Sequence, residues 1–558
     1  QCAGPLKVEC SGLLKPGSAW NFIGAQVPSG SKSGIVFSFS ARQLSDLGIN
    51  LGFDDIVADV LCETLFFSVV GDCDDYRRFK KAYTEGLEFA GIPLDRAVGA
   101  PLAVEVLRHC PGDLTPGVEV SAKYSAVSGN RLGAYDPVFG GFSYYVPLVY
   151  AQSAGFDAII YTQNGGLECT SVELWFKAQD DCLRSRICEV FTLAPGETFQ
   201  FDANDCVGPD FQGSAWLRSS QPLAVAVDIL GRDVLMTYEG LPSQLNFTFD
   251  PGAALFTVGS QVAYGPLVYS EYQGWDSGIQ VQNFSSVVAA KVKVYFLDRS
   301  GGVITTLVDW VCPRGSQTFF LPVIADLPGH WAGTVRVESQ EWWTPGAPLV
   351  QYSNIGGVAT LIKYSDAARS STVEAIAYNL LSEQMAFDWQ IGSGAGGTDS
   401  GVGLVAVPSL IKDRDGTGVT TELAIVNVVP KGGFTDFALY LYDMNGLIDY
   451  VCEKLNERQV EYIDLDNWGY LNPGFKGSAV ISATFWEHEV FDGAGGFSRN
   501  LVGLAVAIVE RTGARLGQDV PGDETAGTTG FPFRVDETFA FDFEGPVAAR
   551  CPGQPFAR

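Results

Sequence analysis

One unit occurs three times in this chain, and each copy carries the same three landmarks in the same order. The first landmark is a ten-residue strand signal, GFDAIIYTQN from Gly155, GWDSGIQVQN from Gly274 and GVTTELAIVN from Gly418. The second is a strand running into a turn, VELWFKAQDD from Val172, VKVYFLDRSG from Val292 and FALYLYDMNG from Phe437. The third is a strand of small residues entered after an aromatic, FQGSAWL from Phe211, HWAGTVRV from His330 and FKGSAVIS from Phe475. Self-similarity of this kind marks a tandem array of one module. Arrays are built more often for length and surface than for a single reaction centre.

Each module runs to roughly 90–110 residues of short strands broken by Gly, Asn and Asp turns, the pattern of an immunoglobulin-like antiparallel β-sandwich. The Cys-Trp-Cys hallmark of antibody domains is missing, so this likeness is architectural. The expected fold is therefore mainly β, with an N-terminal β-rich domain over 1–138, sandwich repeats over 139–255, 256–375 and 376–511, and a linker and strand tail over 512–558. Within the first domain, Asp54–Val70 and Asp74–Phe89 read as a helical insertion. Tyr76, Phe79, Tyr83 and Leu87 make one apolar stripe at spacings of three and four. Pro101–Val106 (PLAVEV) matches Pro222–Val227 (PLAVAV), so the domain reads as a diverged copy of the module. The connectors also recur: Tyr135-Asp136-Pro137 precedes Pro147-Leu148-Val149-Tyr150, and Phe249-Asp250-Pro251 precedes Pro266-Leu267-Val268-Tyr269. Their prolines predict extended, stiff links.

A formal charge of −28 over 558 residues excludes nucleic acid as a partner, since phosphates need basic patches. It also opposes binding to anionic membrane surfaces. No apolar run approaches the roughly 18 residues of a membrane span. The chain begins at Gln1, which leads to the expectation that a signal peptide has been removed and that the protein is extracellular or at the cell surface. Twelve cysteines support an oxidising compartment. Cys169, Cys182, Cys188 and Cys206 all fall in the first repeat, where two local bridges are expected without a fixed connectivity. Cys312, Cys452 and Cys551 stand apart. Buried thiols and bridges between modules or subunits are both open readings for them.

The residues carry little chemistry. Three histidines, His109, His330 and His488, supply few general bases, and no HExxH, P-loop or nucleophile-elbow pattern is present. The reading is of a protein that is not an enzyme, with no catalytic residues and no cofactor. Calcium is a weak candidate: Asp413 and Asp415 flank a tight turn before Gly416, with Glu422 nearby, and hard oxygen donors of this kind suit Ca²⁺. Trp342, Trp343 and Trp486, at corresponding hairpins of two copies, could stack on sugar rings.

Beyond Arg511, Thr512–Gly530 reads as a linker, followed by a strand in which Phe533, Val535, Phe539, Phe541 and Phe543 would share one face. The landmark series resembles repeat modules of large secreted surface proteins of Chloroflexi-type filamentous bacteria, which implies β-sandwich modules outside the cell and carries over no catalytic residue. A C-terminal strand behind a linker also resembles donor-strand fibre subunits. Together these lead to the expectation of a secreted, self-assembling subunit of a filament, sheath or surface layer, a homopolymer joined by strand addition of Phe533–Phe543. The alternative is an adhesin that binds cell-surface glycans through exposed Trp and Tyr.

Overall fold

The computed structural model describes residues 141–242, 262–340, 353–382, 402–428, 435–484 and 504–512 with short interruptions, and isolated strands elsewhere. The N-terminal part contributes β1 (Glu9–Cys10), β2 (Trp20–Gly24), β3 (Asp55–Leu61), β4 (Thr64–Val70), β5 (Ala97–Val98), β6 (Ala103–Arg108) and β7 (Glu119–Ser125). The first repeat comprises β8 (Phe142–Ala151), β9 (Asp157–Asn164), β10 (Thr170–Ala178), β11 (Arg186–Leu193), β12 (Thr198–Asp202), β13 (Phe211–Ser219), β14 (Leu223–Gly231), β15 (Val234–Glu239) and β16 (Leu241–Pro242). The second comprises β17 (Val262–Ser270), β18 (Trp275–Asn283), β19 (Ala290–Leu297), β20 (Val303–Val311), β21 (Ser316–Phe320), β22 (Trp331–Ser339), β23 (Ile355–Tyr364), β24 (Thr372–Asn379) and β25 (Leu381–Ser382). The third comprises β26 (Val402–Lys412), β27 (Val419–Asn427), β28 (Thr435–Asp443), β29 (Gly446–Leu455), β30 (Val460–Asp464), β31 (Phe475–Thr484) and β32 (Leu504–Thr512). Four short strands follow: β33 (Gly522–Asp523), β34 (Ala526–Thr529), β35 (Phe531–Pro532) and β36 (Arg534–Val535).

Every repeat is built the same way. A five-stranded sheet, β11-β10-β13-β8-β16 in the first copy, faces a four-stranded sheet, β12-β9-β14-β15. The second and third copies repeat these orders strand for strand, and all pairings within them are antiparallel. The core lies between the sheets. In the third copy Leu423, Ile425, Val506 and Ile508 of one sheet meet Phe437, Leu439, Leu441 and Ile481 of the other. Alternation along β10, β19 and β28 sends one face to this core and the other outward.

The three landmarks now have physical meaning. The opening glycine of the first, Gly155, Gly274 or Gly418, has φ of 82°, 86° or 80°, a left-handed conformation that glycine adopts without a Cβ penalty. Its closing residue is a buried asparagine that ties the two sheets together. Asn283 donates from Nδ2 to the carbonyls of Val288 (2.7 Å) and Val311 (3.1 Å), while its Oδ1 accepts from the Ser285 amide (2.9 Å). Asn164 makes the same contacts to Glu168, Leu193 and Gly166, and Asn427 donates to Leu455 and Asn456.

The recurrent proline motifs do not lie in connectors. Pro147 and Pro266 sit inside β8 and β17, at register shifts where the bulge tolerates a residue without an N–H. The backbone freed there is satisfied by a tyrosine from the last strand of the opposite sheet. The Tyr238 hydroxyl donates to the Leu148 carbonyl (2.5 Å), and Tyr378 does so to Leu267 (2.5 Å) while accepting from the Leu267 amide (3.1 Å). Burial raises the pKa of both phenols far above their usual range.

Several expectations are corrected. Asp55–Leu61 and Thr64–Val70 form an antiparallel hairpin, not a helix; the segment is rich in β-branched and aromatic residues and β3 gains a parallel partner, β6, from far along the chain. The other expected helix, 74–89, lies outside the described residues. The N-terminal sheet is seven-stranded, β1-β2-β4-β3-β6-β7-β33, unlike the repeats. The second repeat extends to Ser382, beyond the boundary expected at 375. The third takes β34 and β35 from the expected linker and tail, pairing them with β32 and β26.

Last strands of successive units meet. β15 packs against β24, β24 against β34, β34 against β7 and β7 against β15, a closed cycle in which the N-terminal part fills the fourth position. Space in this centre is short: a Cβ on Gly527 would lie 2.3 Å from Ile376 and 2.8 Å from the Ala377 carbonyl oxygen. A low-complexity AGTT sequence is thus selected by close approach, though it reads as a linker.

Asn283→Ala is expected to destabilise the chain by about 2–4 kcal/mol, because two buried carbonyls and an amide lose their partner. Tyr378→Phe, which strands the Leu267 amide and carbonyl, should cost about 1–3 kcal/mol. Denaturant midpoints of the full chain measure both.

Candidate functional surfaces

Modules are joined through corresponding surfaces. The outer face of the five-stranded sheet in one repeat lies on the outer face of the four-stranded sheet in the next: β8 meets β18 and β23, and β17 meets β27 and β32. Apolar side chains continue across each seam, Val358, Ile362, Ala375 and Ala377 joining the core cluster of the first repeat and Ala424, Val426 and Ala507 that of the second.

At the first seam Arg314 is central. Its backbone is left-handed (φ 60°), which turns its carbonyl towards Ser214 Oγ (3.0 Å) and Gln282 Nε2 (3.2 Å). Its guanidinium lies 5.4 Å from the Tyr145 and Trp216 ring centres, a cation–π arrangement. Tyr145 stacks on Phe284 (3.9 Å) and donates to its carbonyl (3.0 Å). Cys182, in the turn after β10, is disulfide-bonded to Cys312 after β20, whereas Cys188 is bonded to Cys206 inside the first repeat. Cys169 and Cys452 are also disulfide-bonded. Cys551 lies outside the described residues.

The second seam uses ionic chemistry at the same places. The turn after β19 meets the turn after β29: the Val460 amide donates to the Arg299 carbonyl (3.1 Å), and Arg299 pairs with Glu461 (2.6 Å). Gly301 (φ 86°) is required there, since a Cβ would come within 2.6 Å of the Glu457 carbonyl oxygen. Deeper in, Glu422 pairs with Arg511 (2.6 Å), both side chains nearly buried at 11% and 12% exposure. Tyr269 donates to the same carboxylate (3.2 Å). Burial, then the adjacent Glu422 carboxylate, holds the Tyr269 phenol well above its ordinary pKa. Burial opposes the charge on Arg511, but Tyr269 and Glu422 outweigh it and raise its pKa.

The calcium candidates are thereby separated in role. Glu422 serves the seam. Asp413 accepts the Gly418 amide (2.8 Å) and donates its own amide to Thr420 Oγ1 (3.0 Å), closing the turn into β27. Asp415 lies outside the described residues, and among those described no three His, Cys, Asp or Glu side chains cluster to hold a metal. Of the tail, β36 pairs with β5 of the same chain (Arg534↔Val98, Val535↔Ala97), while Phe533, Phe539, Phe541 and Phe543 lie outside the described residues. So do Trp342, Trp343 and Trp486. No helix among the described residues is long and apolar enough to cross a membrane.

Two surface features were not read from the sequence. One is a shallow depression of about 350 Å³ in the third repeat, lined by Asp464, Asn467, Trp468 and Tyr470 among others. Trp468 Nε1 donates to Asp449 (2.9 Å), and Tyr470 is 84% exposed. The other is a set of exposed apolar residues on β11, β20 and β29, the outer edge strands, including Ile187, Val190, Val308 and Trp310. Their alternation was visible, but which face the next module covers was not.

No protein-family model and no curated protein matches the chain. Among solved structures, Thermotoga maritima 1070 is similar at 16% identity and TM-score 0.16, over 18% of this chain and 93% of that one. A glycosyl hydrolase family 2 member from Bacteroides cellulosilyticus is similar at 10% identity and TM-score 0.11, over 43% of this chain and 26% of that one. A second such member, from strain DSM 14838, is similar at 11% identity and TM-score 0.10, over 43% and 28%. Likenesses at these scores carry no inference about this chain.

Glu422→Ala should cost about 3–5 kcal/mol by leaving Arg511 buried and unpaired, and Glu422→Leu with Arg511→Met should recover most of it. Replacing Cys182 and Cys312 by Ser, a sequence separation of 130, should cost on the order of 4–5 kcal/mol in the chain-entropy picture. The Cys188–Cys206 bridge, with a separation of 18, should contribute about 3 kcal/mol. Denaturant unfolding under oxidising conditions ranks the variants.

Proposed function

We propose that the protein is a secreted, non-catalytic structural subunit that assembles with copies of itself into an extracellular filament, sheath or surface layer. The observation that carries this reading is the way the modules are locked. A disulfide and a cation–π cluster at one seam, and a buried ion pair at the next, make the repeats one stiff block. A block of fixed shape with a repeated surface suits a lattice or fibre, where flexible links would cost order at every contact. Disulfides, immunoglobulin-like modules and a charge of −28 suit an exposed, extracellular setting.

The tail enters this reading differently from its sequence pattern. β34 and β35 complete the third repeat and β36 pairs within its own chain, which favours assembly through outer module faces over strand donation by 533–543. Carbohydrate binding is a second reading, favoured by the exposed Tyr470 and the Trp468, Asp464 and Asn467 groups beside it.

The test compares the full chain with one ending at Val535, which keeps every described strand, by electron microscopy and light scattering under oxidising conditions. Ordered assemblies from both are expected. Monomers of the full chain at all concentrations and salt conditions would overturn the structural reading. Loss of assembly in the shorter chain alone would return the role to the tail. Weakened oligosaccharide binding by Tyr470→Ala would support the second reading.

A further inference from the structure

Each repeat gives only part of its outer face to the next one. At the first seam β8 and β13 are covered, and Tyr145 and Trp216 are buried there. The face continues outward without a break: Trp175 on β10 stacks on Trp216 (5.6 Å) and leads to β11, where Ile187 is 44% exposed and Val190 54%. The corresponding strip of the second repeat carries Val308 at 53% and Trp310 at 51% on β20. Val190 sits opposite Glu173, and Val308 opposite Lys293, at matching registers.

The two strips differ in charge. In the first, Glu173 on β10 is the cross-strand neighbour of Arg218 on β13. In the second, the equivalent neighbours are Lys293 on β19 and Glu338 on β22. Both signs are reversed, and Lys291 adds a further cation beside Trp310. Within a chain of net charge −28, Lys291 and Lys293 beside the exposed Trp310 and Val308 favour a partner that presents a carboxylate on an apolar face. The first repeat of another copy supplies one.

We infer that the outer strip of the first repeat, with Glu173, Ile187 and Val190, packs face to face on the outer strip of the second repeat, with Lys293, Val308 and Trp310, of another copy of this chain. This rests on the structural reading above and names its contact. The face is continuous with the established seam, so the same sheet surface that joins modules within the chain joins chains to each other. Glu173 then lies over Lys293, and Val190 meets Val308 beside them on the outer edge strands. Because unlike surfaces meet, the contact is heterologous and propagates into a filament unless its rotation closes it. Desolvation of the exposed valines and Trp310 drives the contact, and the charges fix its register and partner.

Charge reversal tests it directly. Glu173→Lys and Lys293→Glu singly place like charges face to face, and each should raise the concentration needed for assembly at least about tenfold in light scattering. The double variant restores the pairing and should return that concentration to within about threefold of the unaltered chain. Val308→Asp should abolish assembly. Unchanged thermal unfolding in each variant excludes loss of the fold as the cause. If the unaltered chain assembles while both single reversals do so equally well, or if the double variant fails to recover, this contact is wrong and the structural reading stands. If the unaltered chain does not assemble, both fall.

Discussion

An asparagine side chain at the end of the second strand of each repeat is the interaction on which the architecture depends. A two-sheet sandwich has strong hydrogen bonding within each sheet and none obliged between them. Irregular backbone at the strand ends would leave carbonyls buried without partners, at a cost of about 1–3 kcal/mol each. Asn164, Asn283 and Asn427 supply donors to that backbone and, in the first two, accept a turn amide in return. A primary amide is the group that can do both from one short side chain. Fixing this corner fixes the turn between the fourth and fifth strands, and that turn is what the preceding module touches.

The seams therefore inherit their precision from the module interior. Arg314 and Arg458 occupy the same left-handed position of that turn, at φ of 60° in each case. One aims a carbonyl and a guanidinium into the first seam; the other lies against Gly301 at the second. The same surfaces are held by a disulfide in one instance and by Arg299, Glu461, Glu422 and Arg511 in the other. Different chemistries at equivalent positions point to seam geometry, and not a particular bond, as the retained property. The cycle of last strands adds a further limit, since close approach at Gly527 leaves no room for larger side chains.

Much of the module was legible in the chain. The landmarks coincide with β9, β18 and β27, with β10, β19 and β28, and with β13, β22 and β31. Strands β10 and β19 alternate because one face is in the core, whereas β18 and β27 are buried on both faces and were marked by the repetition itself. Errors arose where pairing is non-local. Asp54–Val70 has an apolar run compatible with either helix or strand, and β2 and β6, its sheet neighbours, are not adjacent in sequence. The prolines of the PLVY motifs suggested connectors because a bulge cannot be seen without its partner strand. Glu422 looked like an oxygen donor for a cation because Arg511, 89 residues later, was not visible as its partner.

The sequence alone determined the repeat and the strands that carry its landmarks, because a module used three times shows corresponding residues at corresponding positions. Tertiary structure decided which strands belong to which module, where the tail begins, which cysteines meet, and which parts of the outer faces stay uncovered. Those depend on contacts between residues more than 100 positions apart, as in Cys182–Cys312 and Tyr269–Glu422. No short-range pattern encodes such contacts, because their energy comes from surfaces that exist only once both modules have folded.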